Sequence, residues 1–332
     1  MAQRRPVTDW AIDFDHLSRI TMVTDAHPDD VKLSLGPLTL DPPQHAPLRR
    51  ALLPAFSPHR VAELEVVVRQ IVATLLDEIG EREEVDAAIE FAEQVPVRLM
   101  SHLFGVDRSQ GAAFKGWVDT ILKHGLLDIE LARAANREIL AFFSERLRSR
   151  RDSGEVRDDL ISTVLDARIN EDDGSVRPLT DREQIGTLYV LMLGGVDTTW
   201  SLIGAALIHL GTHPDDLARL SADPSLVPGA IEEFLRVYSP ATVARIITRD
   251  AAIGGCPVDG GKRLLLSYPS ANRDPAVFDR PDEVIIDREH NRHVAFGVGV
   301  HRCIGSNLAR MEMEIALRGP HHVPLRIPRE ER

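Results

Sequence analysis

Cysteine is nearly absent from this chain of 332 residues: Cys256 and Cys303 are its only two. Two cysteines exclude a disulfide framework and are too few to hold an iron–sulfur cluster. Excess positive charge is missing as well. The 39 Lys and Arg face 51 Asp and Glu, a formal net charge of -12. That balance argues against a general nucleic-acid binder, which needs a basic face to displace counterions from phosphate. Long hydrophobic runs are absent. The apolar-plus-glycine run Tyr189 to Val196 is far too short to cross a bilayer. Nor does an apolar stretch follow Arg4 and Arg5, so the N-terminus does not read as a secretory signal. There is no internal repeat or low-complexity tract, and no GxGxxG fingerprint follows a strand pattern. What is present, 43% hydrophobic and 27% charged residues, suits a globular protein with a large core. The expectation is a cytoplasmic protein without membrane or nucleic-acid partners.

The first 40 residues carry no sustained period. From Pro58 to about Gly80, Val61, Leu64, Val67, Val68, Ile71, Leu75 and Ile79 fall near one helical face. Further helices are expected over roughly 84–104, 110–126, 129–151 and 157–169. Arg148, Arg150 and Arg151 with Asp152-Ser153-Gly154 read as a helix end and a solvated turn. The best-marked helix runs over about 181–210. Thr180 and Glu183 form a capping-box pattern at its start, and Gly211 with Pro214 closes it. Its middle is apolar almost all round, as in a helix at the centre of a domain. A helix over about 227–238 begins at Pro228 and stops at Ser239-Pro240. Strand-like pieces follow near 244–248, 252–258 and 263–268. The expectation is a mainly α protein with a minor β part, in a single domain over 1–332.

Chemistry concentrates in Asn291 to Gly305, which reads NRHVAFGVGVHRCIG. Its glycines let the backbone pass close to a bulky group, and a cysteine just before a helix has its thiolate favoured by the amide ends. With Phe296 and Ile304 as shields, this suits a protected metal-ligating thiolate. A small buried cysteine in a Gly-rich turn is the plainer alternative. A zinc site from His293, His301 and Cys303 is weaker, because paired-cysteine spacing is lacking. A second feature is Gly194-Gly195-Val196-Asp197-Thr198-Thr199. Two glycines inside a helix cost about 1 kcal/mol each against alanine, so close approach or a local opening is expected there. The acid and the hydroxyl then either pass protons or simply face solvent. Glu233 and Arg236, three apart, would alone be an ordinary helix pair worth tenths of a kcal/mol.

Taken in order, these motifs resemble the cytochrome P-450 family. Phe296, Gly299, His301, Cys303 and Gly305 match its cysteine loop, Gly194 to Thr199 its oxygen-activating helix, and Glu233 with Arg236 its buried Glu-x-x-Arg pair. Asn272-Arg273-Asp274, Phe278 and Pro281 are similar to the segment packed on that pair. Asp41 to Arg50 resembles the helix presenting His and Arg to a haem propionate. The resemblance runs from about Asp41 to Leu317, with Asp13 to His16 also familiar. It implies the P-450 fold, without part of the N-terminal sheet region and the C-terminal β-hairpins. It also implies haem b, with Cys303 as metal ligand and Phe296 beside it. His45, Arg49, Arg245 and His301 would serve the propionates, and Asp197 and Thr198 would be the catalytic acid–alcohol pair. Thr199 is expected to pack and Arg50 to face solvent.

The implied activity is a haem-thiolate monooxygenase inserting one oxygen atom from O2 into a hydrophobic organic molecule. Its electrons would come from a separate ferredoxin or flavodoxin with an NAD(P)H-dependent reductase. Arg50, Arg292 and Arg302 are candidates to attract an acidic partner. Leu193, Gly194, Val243 and Ala244 are expected near the substrate. The alternative is a haem-binding remnant or sensor without oxygenase activity.

Overall fold

The computed structural model describes residues 18–21, 35–82, 84–124, 128–171 and 173–319. Asp13 to His16 and the segment after Gly319 lie outside the described residues. In chain order the elements are β1 (Ser18–Thr21), α1 (His45–Leu52), α2 (Pro58–Ile79), α3 (Gln94–Leu103), α4 (Arg108–Asp119), α5 (Ile129–Ser153) and α6 (Leu160–Asp166). Then come β2 (Arg168–Asn170), β3 (Val176–Pro178), α7 (Asp181–Thr212), α8 (Pro214–Ala222) and α9 (Val227–Val237). The chain continues through β4 (Thr242–Ile247), β5 (Ala251–Ile253), β6 (Cys256–Val258), β7 (Arg263–Ser267), α10 (Tyr268–Ala271) and α11 (Ser306–Arg318). The mainly α reading with a minor β part holds.

The chain divides into two compact units, with boundaries inside α2, α3 and α7. One comprises residues 22–64 and 96–197. Its core is aromatic: the Phe104 and Phe114 rings meet edge-on at 5.4 Å, and Phe143 lies 5.3 Å from Phe104. All three rings are fully buried, each contributing about 1.5–3 kcal/mol. The other unit comprises residues 1–21, 65–95 and 198–332. It contains an antiparallel sheet of order β1-β4-β7, in which Arg245 of β4 pairs with Ile20 and Leu264. In the same unit, helices α9 and α11 pack together, with Ile231 and Phe234 of α9 and Met313 and Ala316 of α11 buried.

The capping box forms as expected: the Thr180 amide donates to Glu183 Oε2 at 2.8 Å, and the Glu183 amide to Thr180 Oγ1 at 3.3 Å. Pro214 does more than close α7, because it opens α8, where its missing N–H costs nothing. The 252–258 piece is a hairpin, β5 with β6, folded at Gly254-Gly255. Arg150 is not solvated at the end of α5. Its side chain is 9% exposed and pairs with Asp159 at 2.8 Å and Ser162. The β2–β3 hairpin, three residues a side, was too short to show a period. Helix α7 has the length and hydropathy of a bilayer span, yet 56% of its apolar window is buried, which marks it as a core helix.

Candidate functional site

The cysteine segment folds into a closed loop. The Cys303 amide donates to the Phe296 carbonyl at 2.8 Å, and the Gly297 amide to the Val294 carbonyl at 2.8 Å. Gly297 (φ 68°) and Gly299 (φ 72°) occupy the left-handed region that side chains disfavour. Gly297 is also required by space, since a Cβ there would sit 2.9 Å from Tyr268 Oη. Cys303 lies three residues before Ser306, the first residue of α11, whose N-cap Gly305 offers no side-chain acceptor. The first-turn amides have no side-chain cap there, an arrangement that favours negative charge nearby. Cys303 is exposed, and Phe296 and Ile304, the shields suggested by the sequence, are half-buried. A side chain at Gly305 would place its Cβ 4.0 Å from Sγ.

Behind the loop, Glu233 and Arg236 are fully buried. Arg236 gives two hydrogen bonds of 2.8 Å to Glu233 and others to the carbonyls of Asn272 (2.9 Å), Pro281 (2.6 Å) and Glu283 (2.7 Å). Glu233 further accepts from the Ile285 amide, Arg288 Nε and Asn291 Nδ2. Burial pushes the Glu233 carboxyl up, but Arg236, the Ile285 amide and Arg288 outweigh it and hold the pKa below its ordinary value. Asn272, fully buried, accepts from the Val294 amide at 2.7 Å through its side chain. The pair therefore fixes both Asn291 and Val294, where the cysteine segment begins. Sequence spacing alone suggested tenths of a kcal/mol; burial changes the scale.

A neighbouring cluster went unnoticed in the sequence. Glu232 accepts from Arg310 Nε (2.6 Å) and Nη2 (2.8 Å) of α11, and its Oε2 lies 2.9 Å from His293 Nε2. The Arg310 guanidinium stands 4.6 Å from the centre of the Phe296 ring. Burial again pushes the Glu232 carboxyl up, but Arg310 and His293 prevail and bring it to about 2. His293 is thus committed to Glu232 and to the Ala295 amide. Among the described residues no group of three or more His, Cys, Asp or Glu is placed to hold a metal ion, so the zinc arrangement does not form. Glu312 of α11, also unforeseen, is fully buried, and burial pushes its carboxyl well up.

Arg245, on the central strand of its sheet, is 6% exposed, and His301 is half-buried in the turn before Cys303. In the other unit, α1 places buried His45 and half-buried Arg49 four residues apart on one face, with Arg50 exposed. Arg292 and Arg302 are exposed too. Helix α7 stays helical throughout, so its glycines act by space rather than by an opened turn. A Cβ at Gly195 would fall 2.6 Å from Met100 Sδ, whereas one at Gly194, which is exposed, would meet nothing within 4 Å. Asp197 and Thr198 are half-buried, and Thr199 is buried at 5% exposure, as a packing residue should be. Leu193 is buried, while Val243 and Ala244 are half-buried.

An exposed sulfur just ahead of an uncapped helix start fits a metal that brings its own donors, as haem iron does. Comparison with known proteins agrees. The family model described as cytochrome P-450 matches residues 97–318. The chain is 36% identical over 296 residues to 6-deoxyerythronolide B hydroxylase of Saccharopolyspora erythraea, covering 88% of this chain and 71% of that protein. It is 38% identical over 287 residues to nocardicin C N-oxygenase of Nocardia uniformis, covering 84% and 69%. Among solved structures, CYP109E1 of Bacillus megaterium in complex with testosterone superposes with a TM-score of 0.82 at 29% identity, covering 92% of this chain and 79% of that one.

Proposed function

The chain belongs to the cytochrome P-450 family of haem-thiolate monooxygenases, whose cofactor is haem b, and on that footing we propose what its residues do. Cys303 Sγ binds the haem iron. The observation that carries this is its position at the end of a self-closed loop, just ahead of the uncapped α11 amides. Those amides favour the thiolate over the thiol. Phe296 flanks the cofactor beside the cysteine. Arg245, His301, His45 and Arg49 are assigned to the propionates, anions that need charged or polar partners when buried. Bound haem supplies the activation of O2 from which one atom is inserted into substrate. Asp197 and Thr198 move the protons: the hydroxyl of Thr198 donates, and the Asp197 carboxyl replaces its proton from water. Gly194 keeps the helix surface open beside that hydroxyl.

We assign the whole chain, residues 1–332, as one haem domain acting in the cytoplasm. Its electrons come from a separate ferredoxin or flavodoxin with an NAD(P)H-dependent reductase, with Arg292 and Arg302 as docking cations. The substrate is a hydrophobic organic molecule. The names of the relatives, a 6-deoxyerythronolide B hydroxylase, a nocardicin C N-oxygenase and a testosterone complex, support that class. The test is the absorption spectrum of haem-loaded protein reduced under carbon monoxide. A strongly red-shifted Soret band that Cys303→Ala abolishes is expected. A band typical of histidine ligation overturns the assignment and favours a haem binder without oxygenase activity.

A further inference from the structure

Arg310 lies outside every role assigned so far, yet it joins three pieces of chain around Cys303. Its Nε and Nη2 donate to Glu232 on α9, its guanidinium covers the Phe296 ring, and its Nη1 donates to the Ser306 carbonyl at 3.3 Å. Phe296 and Ser306 bracket the cysteine on its two sides, and the Phe296 carbonyl itself accepts from the Cys303 amide. One side chain thereby pins both ends of the Cys303 turn. It also brings a positive charge, balanced by the Glu232 carboxylate, to the back of the loop. The two side chains are 29% and 32% exposed, so their field is only partly screened by water. His293, bonded to Glu232 and 6.3 Å from the Phe296 ring, completes the set.

From this juxtaposition we infer that Arg310 and Glu232 are a positioning pair that sets the reduction potential of the iron bound by Cys303. The inference rests on the Cys303 assignment. Its logic is electrostatic and has a sign. Removing the Arg310 charge leaves the Glu232 carboxylate with His293 alone behind the thiolate, which favours the ferric state and moves the midpoint to more negative values. Removing the Glu232 charge leaves Arg310 uncompensated and moves it to more positive values. A role confined to packing gives no such opposition.

The experiment is a spectroelectrochemical titration of the haem-loaded protein and its variants. Arg310→Gln is expected to shift the reduction equilibrium about tenfold toward the ferric form, or roughly 59 mV for one electron. Glu232→Gln is expected to shift it by a similar factor the other way, and the double variant to return toward the parent. Arg310→Lys, which keeps the charge, should stay within about twofold of the parent. Should Arg310→Gln fail to bind haem, Glu232→Gln and Arg310→Lys still decide the matter. Shifts of the same sign in both glutamine variants, or shifts below twofold in each, overturn the inference while the carbon monoxide band leaves the Cys303 assignment standing. A parent protein without that band removes the assignment and the inference together.

Discussion

Exchanging Arg236 for methionine keeps most of the side chain's volume and removes five hydrogen bonds from a fully buried site. Breaking a buried ion pair by deleting one partner costs about 3–5 kcal/mol, because the remaining charge is left uncompensated. Here Arg288 Nε stays within 3.0 Å of Glu233, so the charge contribution should fall at the low end. The carbonyls of Asn272 and Pro281 lose their Arg236 donor, while that of Glu283 keeps Arg288 Nη2 at 3.5 Å; each orphaned acceptor adds up to about 1–3 kcal/mol unless water replaces it. A net loss of about 4–5 kcal/mol is expected, a large part of a typical total of roughly 5–15 kcal/mol. With a urea slope of about 3 kcal/mol per molar, the unfolding midpoint should drop by about 1.5 M. Arg236→Lys, which retains the charge but not the planar fork, should lose about half as much. Circular dichroism across a urea titration at neutral pH reads both. A midpoint for Arg236→Met within about 0.3 M of the parent would refute the claim that this network holds the segment leading to Cys303.

The glycines of α7 should separate by space. Gly194→Ala is expected to stabilise the haem-free protein by up to about 1 kcal/mol and to weaken haem or substrate binding, seen by thermal unfolding and optical titration. Gly195→Ala should instead destabilise by about 1–3 kcal/mol through its clash with Met100, and shortening Met100 to alanine should recover part of that loss. Thr198→Ala should preserve the carbon monoxide band while raising NAD(P)H consumed per product formed, in a reconstituted turnover with peroxide detection; unchanged coupling would remove Thr198 from proton delivery. The acid limb of stability has a named contributor in Glu232, whose folded pKa of about 2 lies below its ordinary 4.5. Its stabilisation is present above pH 4.5 and is lost as pH falls from there through 2, so Glu232→Gln should flatten that limb in pH-dependent unfolding. His209 acts in the same direction at higher pH. It is 3% exposed, with Tyr238 Oη at 2.9 Å and Asp216 at 2.8 Å, and His213 stacks on its ring. Burial first, then the neighbouring His213, outweigh Asp216 and hold its pKa below 6.5. Its contribution is therefore present above pH 6.5 and lost as pH falls through the folded value; His209→Phe should make stability insensitive to pH in that window.

The sequence by itself determined the features whose cause is local. The Thr180–Glu183 cap, the start of α9 and the turn glycines Gly297 and Gly299 follow from backbone geometry, which neighbours in the chain dictate. The long α7 and the cysteine loop were legible for the same reason, and the order of their motifs carried the family. What no local pattern revealed was which charges are buried. Glu233-x-x-Arg236 reads like any exposed helix pair, and Arg150 like a solvated helix end. Their worth depends on carbonyls and carboxylates contributed from Asn272, Pro281, Glu283 and Asp159. The Glu232–Arg310–His293 cluster draws on residues 61 and 78 positions from its carboxylate, and Gly194 and Gly195 of α7 differ because Met100 lies over one of them. Dielectric surroundings and steric contact belong to the packed chain. Those the sequence encodes only collectively, and only the tertiary structure decided which residue received which.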